Sequence, residues 1–228
     1  EFKDPETYLA DAGFSHENIL LPKERVHNGK TVLRAYEAGS KDLEHFLLEK
    51  GSMEPKVAIS IMVRVCDGVA ALHRAGVVHY DIAPLNIILS KDKVRLTDLE
   101  MGSIDAGGDG VFKKGAMLGN RFIMPPELFT EQPIFDRTVD IYSSASTLYY
   151  LIAKKWPHNI DSQTKDLAQK ERMEKYRLEH LNEEVVFPDE IPAVLQPILS
   201  KAMSPRARER YQSMEDFNKE LITAYKSL

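Results

Sequence analysis

The 228-residue chain has one cysteine, Cys66, which excludes an internal disulfide and any cysteine-built metal centre. Cys66 lies in IMVRVCDGVAAL, where apolar residues recur at helical spacing, so it reads as an inert buried thiol in a reducing, cytoplasmic setting. No apolar run approaches the ~18 residues needed to cross a bilayer, and no signal-peptide pattern opens the chain. The first residues, EFKDP, lack a methionine, so an upstream segment is expected. Positive charge is also short. Lys and Arg total 30 against 35 Asp and Glu, a net charge of −5, which argues against a nucleic-acid-binding face. No Gly-x-Gly-x-x-Gly occurs anywhere, and there is no internal repeat or low-complexity segment.

What is present reads as α-rich with a small set of strands. ETYLADAG (6–13) predicts a short helix. SHENILLPKERVHNGKTVLRAYEAGS predicts two strands around the turn HNGK, where Asn28-Gly29 supports a tight hairpin. DLEHFLLEKG (42–51) predicts a helix ended by Gly51. Residues 55–75 carry apolar groups on one face of a long helix closed by Gly76. The period then shortens: VVHY, NIILS and KVRLTD read as strands. A glycine-bearing loop (103–119) precedes a helix over DRTVDIYSSASTLYYLIAKK. Residues 160–185 are charged and helical around one apolar stripe. Closing helices are expected near 192–203 and 213–228, the last starting at Ser213 with Glu215 and Asp216 in its first turn.

The stretch VVHYDIAPLNIILSKDKVRLTDLE (77–100) carries the chemistry. Asp98 follows an apolar strand and Asn86 precedes another, so a hairpin sets two hard oxygen donors side by side. Such donors suit magnesium, which takes one or two side chains plus phosphates and water. Asp81, five residues before Asn86, is placed to orient or deprotonate an incoming hydroxyl. Taken singly, each of these residues is most often a turn residue or a helix cap. The joint pattern of His-x-Asp, Asn, hairpin and Asp separates the set from that reading.

At these residues the chain resembles the protein-kinase superfamily, and within it the bacterial-type Ser/Thr protein kinases. HYDIAPLN is similar to the catalytic loop His-Arg-Asp-x-Lys-x-x-Asn, and DLE to the metal-binding Asp-Phe-Gly. GNRFIMPPE resembles the end of an activation segment, DIYSSASTLYYLI the central helix of the large lobe, and RERYQSMEDF its closing segment. The resemblance implies an α+β, protein-kinase-like fold with a mostly helical large lobe and a truncated small lobe. Residues 1–39 would be a remnant of the small lobe (a helix, two strands and the hinge), and 40–228 the C-terminal lobe. It further implies Asp81 as the catalytic residue, with Asn86 and Asp98 holding Mg2+ and the phosphates of ATP. A Glu127–Arg210 ion pair, Asp140 bracing the catalytic-loop backbone, an internal His79 and an adenine-gripping hinge near 33–39 complete the set.

The sequence departs from that pattern at several points. The strands bearing the glycine-rich loop and the ATP-gripping lysine are absent upstream of SHENILLP. Glu6 is a candidate for the glutamate that would pair with that lysine, although its spacing to His16 is one residue off; the alternative is an ordinary exposed glutamate. The loop lysine is Ala83, and loss of one such charge costs about 2–4 kcal/mol of transition-state stabilisation, roughly 10²–10³ in rate. The glycine after the metal-binding Asp is Glu100. Asp-x-Glu also occurs in aminoglycoside- and choline-kinase-like enzymes, which likewise lack that lysine. Tyr80 replaces the arginine that receives a phosphorylated activation loop, and Ser103 is the only hydroxyl residue between Asp98 and Glu127. Asn120 replaces a threonine and is expected to hydrogen-bond Asp81.

Three readings follow. The first is a catalytically impaired, pseudokinase-like domain serving as a binding or regulatory module, with no cofactor required. The second is an active Ser/Thr protein kinase that transfers the ATP γ-phosphate to a protein hydroxyl, its small lobe lying outside this chain. The third is a small-molecule phosphotransferase, suggested by DLE but opposed by PPE and RYQS. A protein partner or substrate is expected, with 103–118 and 160–185 as candidate docking surfaces if they are more than solvated faces.

Overall fold

In a computed structural model of the chain, residues 4–27, 32–35, 41–90, 92–104, 120–130, 136–158, 167–182 and 184–228 are described. The chain opens with α1 (Pro5–Asp11), whose N-terminus is capped by the Asp4 carboxylate accepting from Thr7 N. β1 (Glu24–His27) and β2 (Val32–Ala35) pair antiparallel with His27 opposite Val32, the register expected of the hairpin. Its turn at 28–31 lies outside the described residues, as does most of the hinge segment (36–40).

α2 (Leu43–Lys50) starts at an Asp42 cap and ends at Gly51, whose φ of 84° is open to glycine. α3 (Pro55–Arg74) is capped by Glu54, which accepts from the amides of both Lys56 and Val57. Cys66 is fully buried within α3, and burial pushes its thiol far above the ordinary range, so no thiolate forms. Gly68 lets the preceding segment lie against α3. A Cβ there would sit 2.9 Å from Ile19 Cδ1 and 3.0 Å from Asn18 O.

β3 (Lys41–Asp42), β5 (Ile87–Ser90) and β6 (Lys93–Leu96) form one sheet in the order β3-β5-β6. β4 (Val77–Val78) pairs with β7 (Ser103–Ile104). The expected runs VVHY and KVRLTD are thus shorter as strands than they look. The His79 and Tyr80 amides go to a side chain, and Thr97 N donates to Asn86 O across the loop.

Among the described residues, α4 (Thr138–Ala153), α5 (Gln169–Asn182), α6 (Gln196–Ala202) and α7 (Met214–Ser227) follow. α6 is shorter than expected because 192–195 form a turn closed by Leu195 N on Pro192 O. Met62, Val65 and Val69 of α3, Tyr142 and Leu148 of α4, and Phe217 and Leu221 of α7 belong to one continuous core. No described helix is long and apolar enough to cross a membrane.

α4 is buried around most of its circumference yet carries Asp140, Ser143, Ser144, Ser146 and Thr147. A buried polar group must be hydrogen-bonded to be tolerated, and three of these hold loops. Asp140 accepts from His79 N at 2.9 Å, Tyr80 N at 2.8 Å and His73 Nε2 at 2.8 Å. Ser143 donates to Ile123 O at 2.9 Å and Thr147 to Ile82 O at 2.6 Å. Below them, Arg210 donates to both carboxylate oxygens of Glu127 at 2.6 and 2.8 Å and to Ser204 O at 2.8 Å.

Burial alone would raise the Asp140 carboxyl, but the hydrogen bond from His73 and the His79 amide hold it below the usual range. Its stabilisation is therefore complete above the ordinary carboxylate pKa and is lost as pH falls through the lower folded value. Asp140→Ala strands two buried amides and should lower unfolding free energy by about 3–5 kcal/mol, read as the midpoint and slope of urea denaturation. A loss under about 1 kcal/mol would mean that the loop holds itself.

Candidate functional site

The loop from His79 to Asn86 is built by short-range geometry. Ala83 N donates to Asp81 O at 3.0 Å and Asn86 N to Ala83 O at 2.9 Å, and Pro84–Asn86 forms one 3-10 turn. Asn86 therefore sits in that turn rather than in the strand NIILS. Its Nδ2 donates to both Asp81 O and Asp81 Oδ2, each at 2.9 Å. Both neighbours are acceptors, so the amide orientation is settled and Asn86 Oδ1 faces away from Asp81. Asp81 Oδ1 is buried and has no hydrogen-bond partner among the described residues.

Asp98 follows β6 with φ 65°, and Tyr80 sits just before Asp81 with φ 64°. Left-handed backbone at a residue other than glycine is uncommon and is held only where surrounding contacts fix it. At Tyr80 those contacts come from Asp140. At Asp98 they come from the loop itself, with Glu100 N donating to Asp98 Oδ1 at 3.3 Å, and from His79. The His79 ring donates from Nε2 to Thr97 O at 3.1 Å, and its Nδ1 accepts Asp81 N at 3.2 Å. A carbonyl can only accept and an amide can only donate, so both contacts fit one neutral tautomer. His79 thus ties the residue before Asp98 to Asp81, from a position with no solvent exposure.

Asp81, Asn86 and Asp98 are brought together by this arrangement. The proximity has an electrostatic consequence. Burial raises the Asp81 carboxyl above the usual range and the nearby Asp98 charge adds to this; His79, the Asn86 amide and the Asn120 backbone oppose it. Asn120 differs from expectation. Its side-chain Oδ1 accepts Phe122 N at 3.1 Å, and its backbone rather than its amide group faces Asp81.

Glu6 is buried, not exposed, at 3% of its accessible surface, and its Oε1 accepts Leu99 N at 3.3 Å. The carboxylate on α1 therefore reaches the residue beside Asp98 despite the one-residue offset in spacing. Ala83 is buried and Glu100 exposed. Neither HYDIAPLN nor TDLEMGSI contains a lysine or arginine. Tyr80 is buried, and the buried Ser103 hydroxyl donates to its phenol oxygen at 3.1 Å.

His73, Ser143 and Thr147 support the loop without having stood out in the sequence. His73 lies on the apolar face of α3, where a histidine is usually a satisfied core residue. The hydroxyls of SSAST in an otherwise apolar helix were the available signal for α4. Of the candidate docking surfaces, 105–118 and 160–166 lie outside the described residues. α5 has the expected single buried stripe, with Tyr176 and His180 inward and Leu178 exposed.

The donor chemistry here, one carboxylate and one amide oxygen whose direction is fixed, fits a hard divalent cation. Among the described residues no group of three or more His, Cys, Asp or Glu could hold a metal by itself.

Comparison with known proteins agrees with this geometry. The family model described as "Protein kinase domain" matches residues 7–222. The chain is 26% identical over 182 residues to the probable serine/threonine-protein kinase CPE1738 of Clostridium perfringens, covering 77% of this chain and 25% of that protein. It is 33% identical over 132 residues to the serine/threonine-protein kinase PknL of Mycobacterium tuberculosis, covering 58% and 32%. With PknB of the same species it shares 25% identity over 191 residues, covering 81% and 28%. The chain thus spans about a quarter to a third of the length of these curated relatives. With the match running almost end to end and the loop, ion pair and central helix all in place, the chain belongs to the protein kinase domain family.

Proposed function

We propose that this chain is a protein-kinase-fold domain with impaired phosphoryl transfer, acting as a binding or regulatory module toward a protein partner. Residues 1–39 are the small-lobe remnant and 40–228 the large lobe. The observation that carries this reading is Ala83, buried where the family places a phosphate-steadying lysine, in a loop without any cation. Phosphoryl transfer needs positioning and cancellation of negative charge, and Asp81, Asp98 and Glu100 add charge of the wrong sign.

The residues that would hold magnesium and ATP phosphates are Asp98 and Asn86, the latter through Oδ1. When bound, that pair supplies the transferable phosphoryl group and much of the neutralising charge. Asp81 would orient a hydroxyl through its unengaged Oδ1, and His79 and Asn86 hold that carboxylate in place. The second reading, an active Ser/Thr kinase completed by a small lobe outside these residues, is favoured by this same convergence of Asp81, Asn86 and Asp98.

Three measurements test these readings. In magnesium-dependent ATP binding followed by thermal shift, and phosphate transfer to a generic protein substrate, weak binding with near-zero transfer is expected. Ala83→Lys should raise transfer by roughly 10²–10³. Rapid transfer by the unaltered chain that disappears in Asp81→Asn would instead establish the active kinase.

The Asp81 carboxyl has a folded pKa above its unfolded value, so its ionised form is less stable in the fold than in the unfolded chain. Asp81→Asn should accordingly raise the melting temperature at neutral pH, even as any residual transfer is lost. Such residual transfer should also decline on acidification at a pH above the ordinary carboxylate range. An unchanged or lowered melting temperature would contradict a cost of burying the ionised Asp81, to which the Asp98 charge adds.

The Tyr80–Ser103 hydrogen bond bears on regulation. A buried neutral pair occupies the place where a phosphate and an arginine would meet, so activation-segment phosphorylation at Ser103 is not the control. Ser103→Asp should destabilise the domain without raising ATP binding, because it buries a carboxylate against a phenol. Tighter ATP binding in that variant would overturn this view.

A further inference from the structure

Between His79 and Asn86 the loop exposes one side chain. Leu85 is 57% exposed, while Ile82, Ala83, Pro84 and Asn86 around it are buried. An exposed leucine is ordinary in itself; what distinguishes this one is the surface beside it. The contacts there close a circuit. Asp81 faces the Asn120 backbone. Two residues on, the Phe122 ring stacks on Trp156 with centroids 5.4 Å apart and planes at 8°, and Trp156 stacks on Tyr150 at 4.0 Å and 9°. The Tyr150 hydroxyl donates to Glu44 Oε1 at 3.1 Å. Glu44 lies in the first turn of α2, which packs on the Pro84–Asn86 turn that carries Leu85.

Leu85 and the three rings therefore border one stretch of surface next to Asp81. Phe122, Trp156 and Tyr150 are each half-buried, so part of every ring is open to an occupant. The charges at this surface are set by the same contacts. At the Phe122 end the Arg121 guanidinium carbon lies 4.7 Å from the ring centroid, and at the Tyr150 end Lys154 Nζ lies 4.7 Å from that ring. Each cation is held by a ring face. Glu44, the carboxylate of this circuit besides Asp81, accepts the Tyr150 hydroxyl and stands 4.0 Å from Lys154 Nζ. Its charge is thus already matched, and a lysine or arginine brought to the rings would meet two cations instead.

We propose that Leu85 and the Phe122–Trp156–Tyr150 stack select the protein segment presented to Asp81: an extended stretch with a bulky apolar residue two or three positions from its serine or threonine, and without lysine or arginine there. An extended chain advances about 3.3–3.6 Å per residue, so that side chain lies about 7–10 Å from the hydroxyl-bearing residue. The step matches the two residues that separate Asn120, facing Asp81, from Phe122 in the stack. Large flat rings and a leucine supply apolar contact area at little conformational cost. The inference rests on the reading of Asp81 as the group facing a partner's hydroxyl, and it holds whether or not phosphoryl transfer follows.

Trp156 is the sole tryptophan of the chain, so its emission reports on the stack directly. Capped glycine-rich peptides with a central serine are titrated into the intact chain, carrying leucine, arginine or alanine at the second and third positions on each side. The leucine peptide should bind about 10-fold more tightly than the alanine peptide, and the arginine peptide no more tightly than alanine. Leu85→Glu, at an exposed position, should remove the leucine advantage and bring arginine ahead. Equal affinities, a preference for arginine in the unaltered chain, no saturable change of Trp156 emission with any peptide, or an unaltered ranking in Leu85→Glu overturns the proposal. Replacing the peptide serine by alanine tests the Asp81 reading separately. Weaker binding upholds that reading even where the leucine preference is missing, whereas a leucine preference indifferent to the serine keeps this surface and removes Asp81 from it.

Discussion

One buried carboxylate organises the lobe. Asp140 leaves α4 into the interior, where an uncompensated charge would be costly, and it is compensated by two loop amides and one imidazole. The dependence runs both ways. The amides of His79 and Tyr80 cannot enter the β4 ladder while they serve Asp140, so the strand stops at Val78 and the chain turns through a left-handed Tyr80. That turn aims Asp81 at the hairpin carrying Asp98. Ser143 and Thr147, one and two turns further along the helix, fix Ile123 and Ile82 in the same way. A single helix thereby sets the relative placement of the catalytic loop and of the segment that ends at Glu127.

The site so assembled is electrostatically uncomfortable. Asp81 is buried within reach of the Asp98 charge, and neither HYDIAPLN nor TDLEMGSI brings a lysine or arginine, those of β6 being Lys93 and Arg95. The fold tolerates this because the loop is held by its amides on the Asp140 carboxylate and by the His79 ring contacts to Thr97 O and Asp81 N, none of which uses the Asp81 or Asp98 side chains. A scaffold of this kind keeps its geometry whether or not turnover survives. That robustness explains how kinase-like form and missing kinase-like charge coexist in one chain. The buried Tyr80–Ser103 pair is likewise a neutral hydrogen bond that does not involve the Asp81 or Asp98 charges.

Much of this was legible before any coordinates. The 3.6-residue period of 55–75, the helix start at Ser213, and the stop at Gly51 each encode a local outcome, and each element formed within a few residues of its expected bounds. The motif spacing was legible for a different reason: family resemblance carries tertiary information that periodicity lacks, and so Glu127–Arg210 and Asp140 were expected as pairs of distant residues. Other features were not legible. Glu6 looked like a surface residue with an offset of one, and its burial against Leu99 depends on how α1 is laid across the lobe. Asn120 accepts Phe122 N with its side-chain oxygen and meets Asp81 through its backbone instead.

Sequence alone determined where the main helices lie and which residue types stand at the phosphate-handling positions, because these follow from short-range sterics, capping and side-chain chemistry, whereas the end of β4 at Val78 was set by Asp140. Only the tertiary structure decided which buried polar groups meet. Tyr142, His158 and His180 are 16 and 38 residues apart along the chain from the tyrosine, and nothing in their spacing announces a contact. Whether such a group is satisfied, stranded or charged depends on desolvation and on partners that chain folding alone brings within reach.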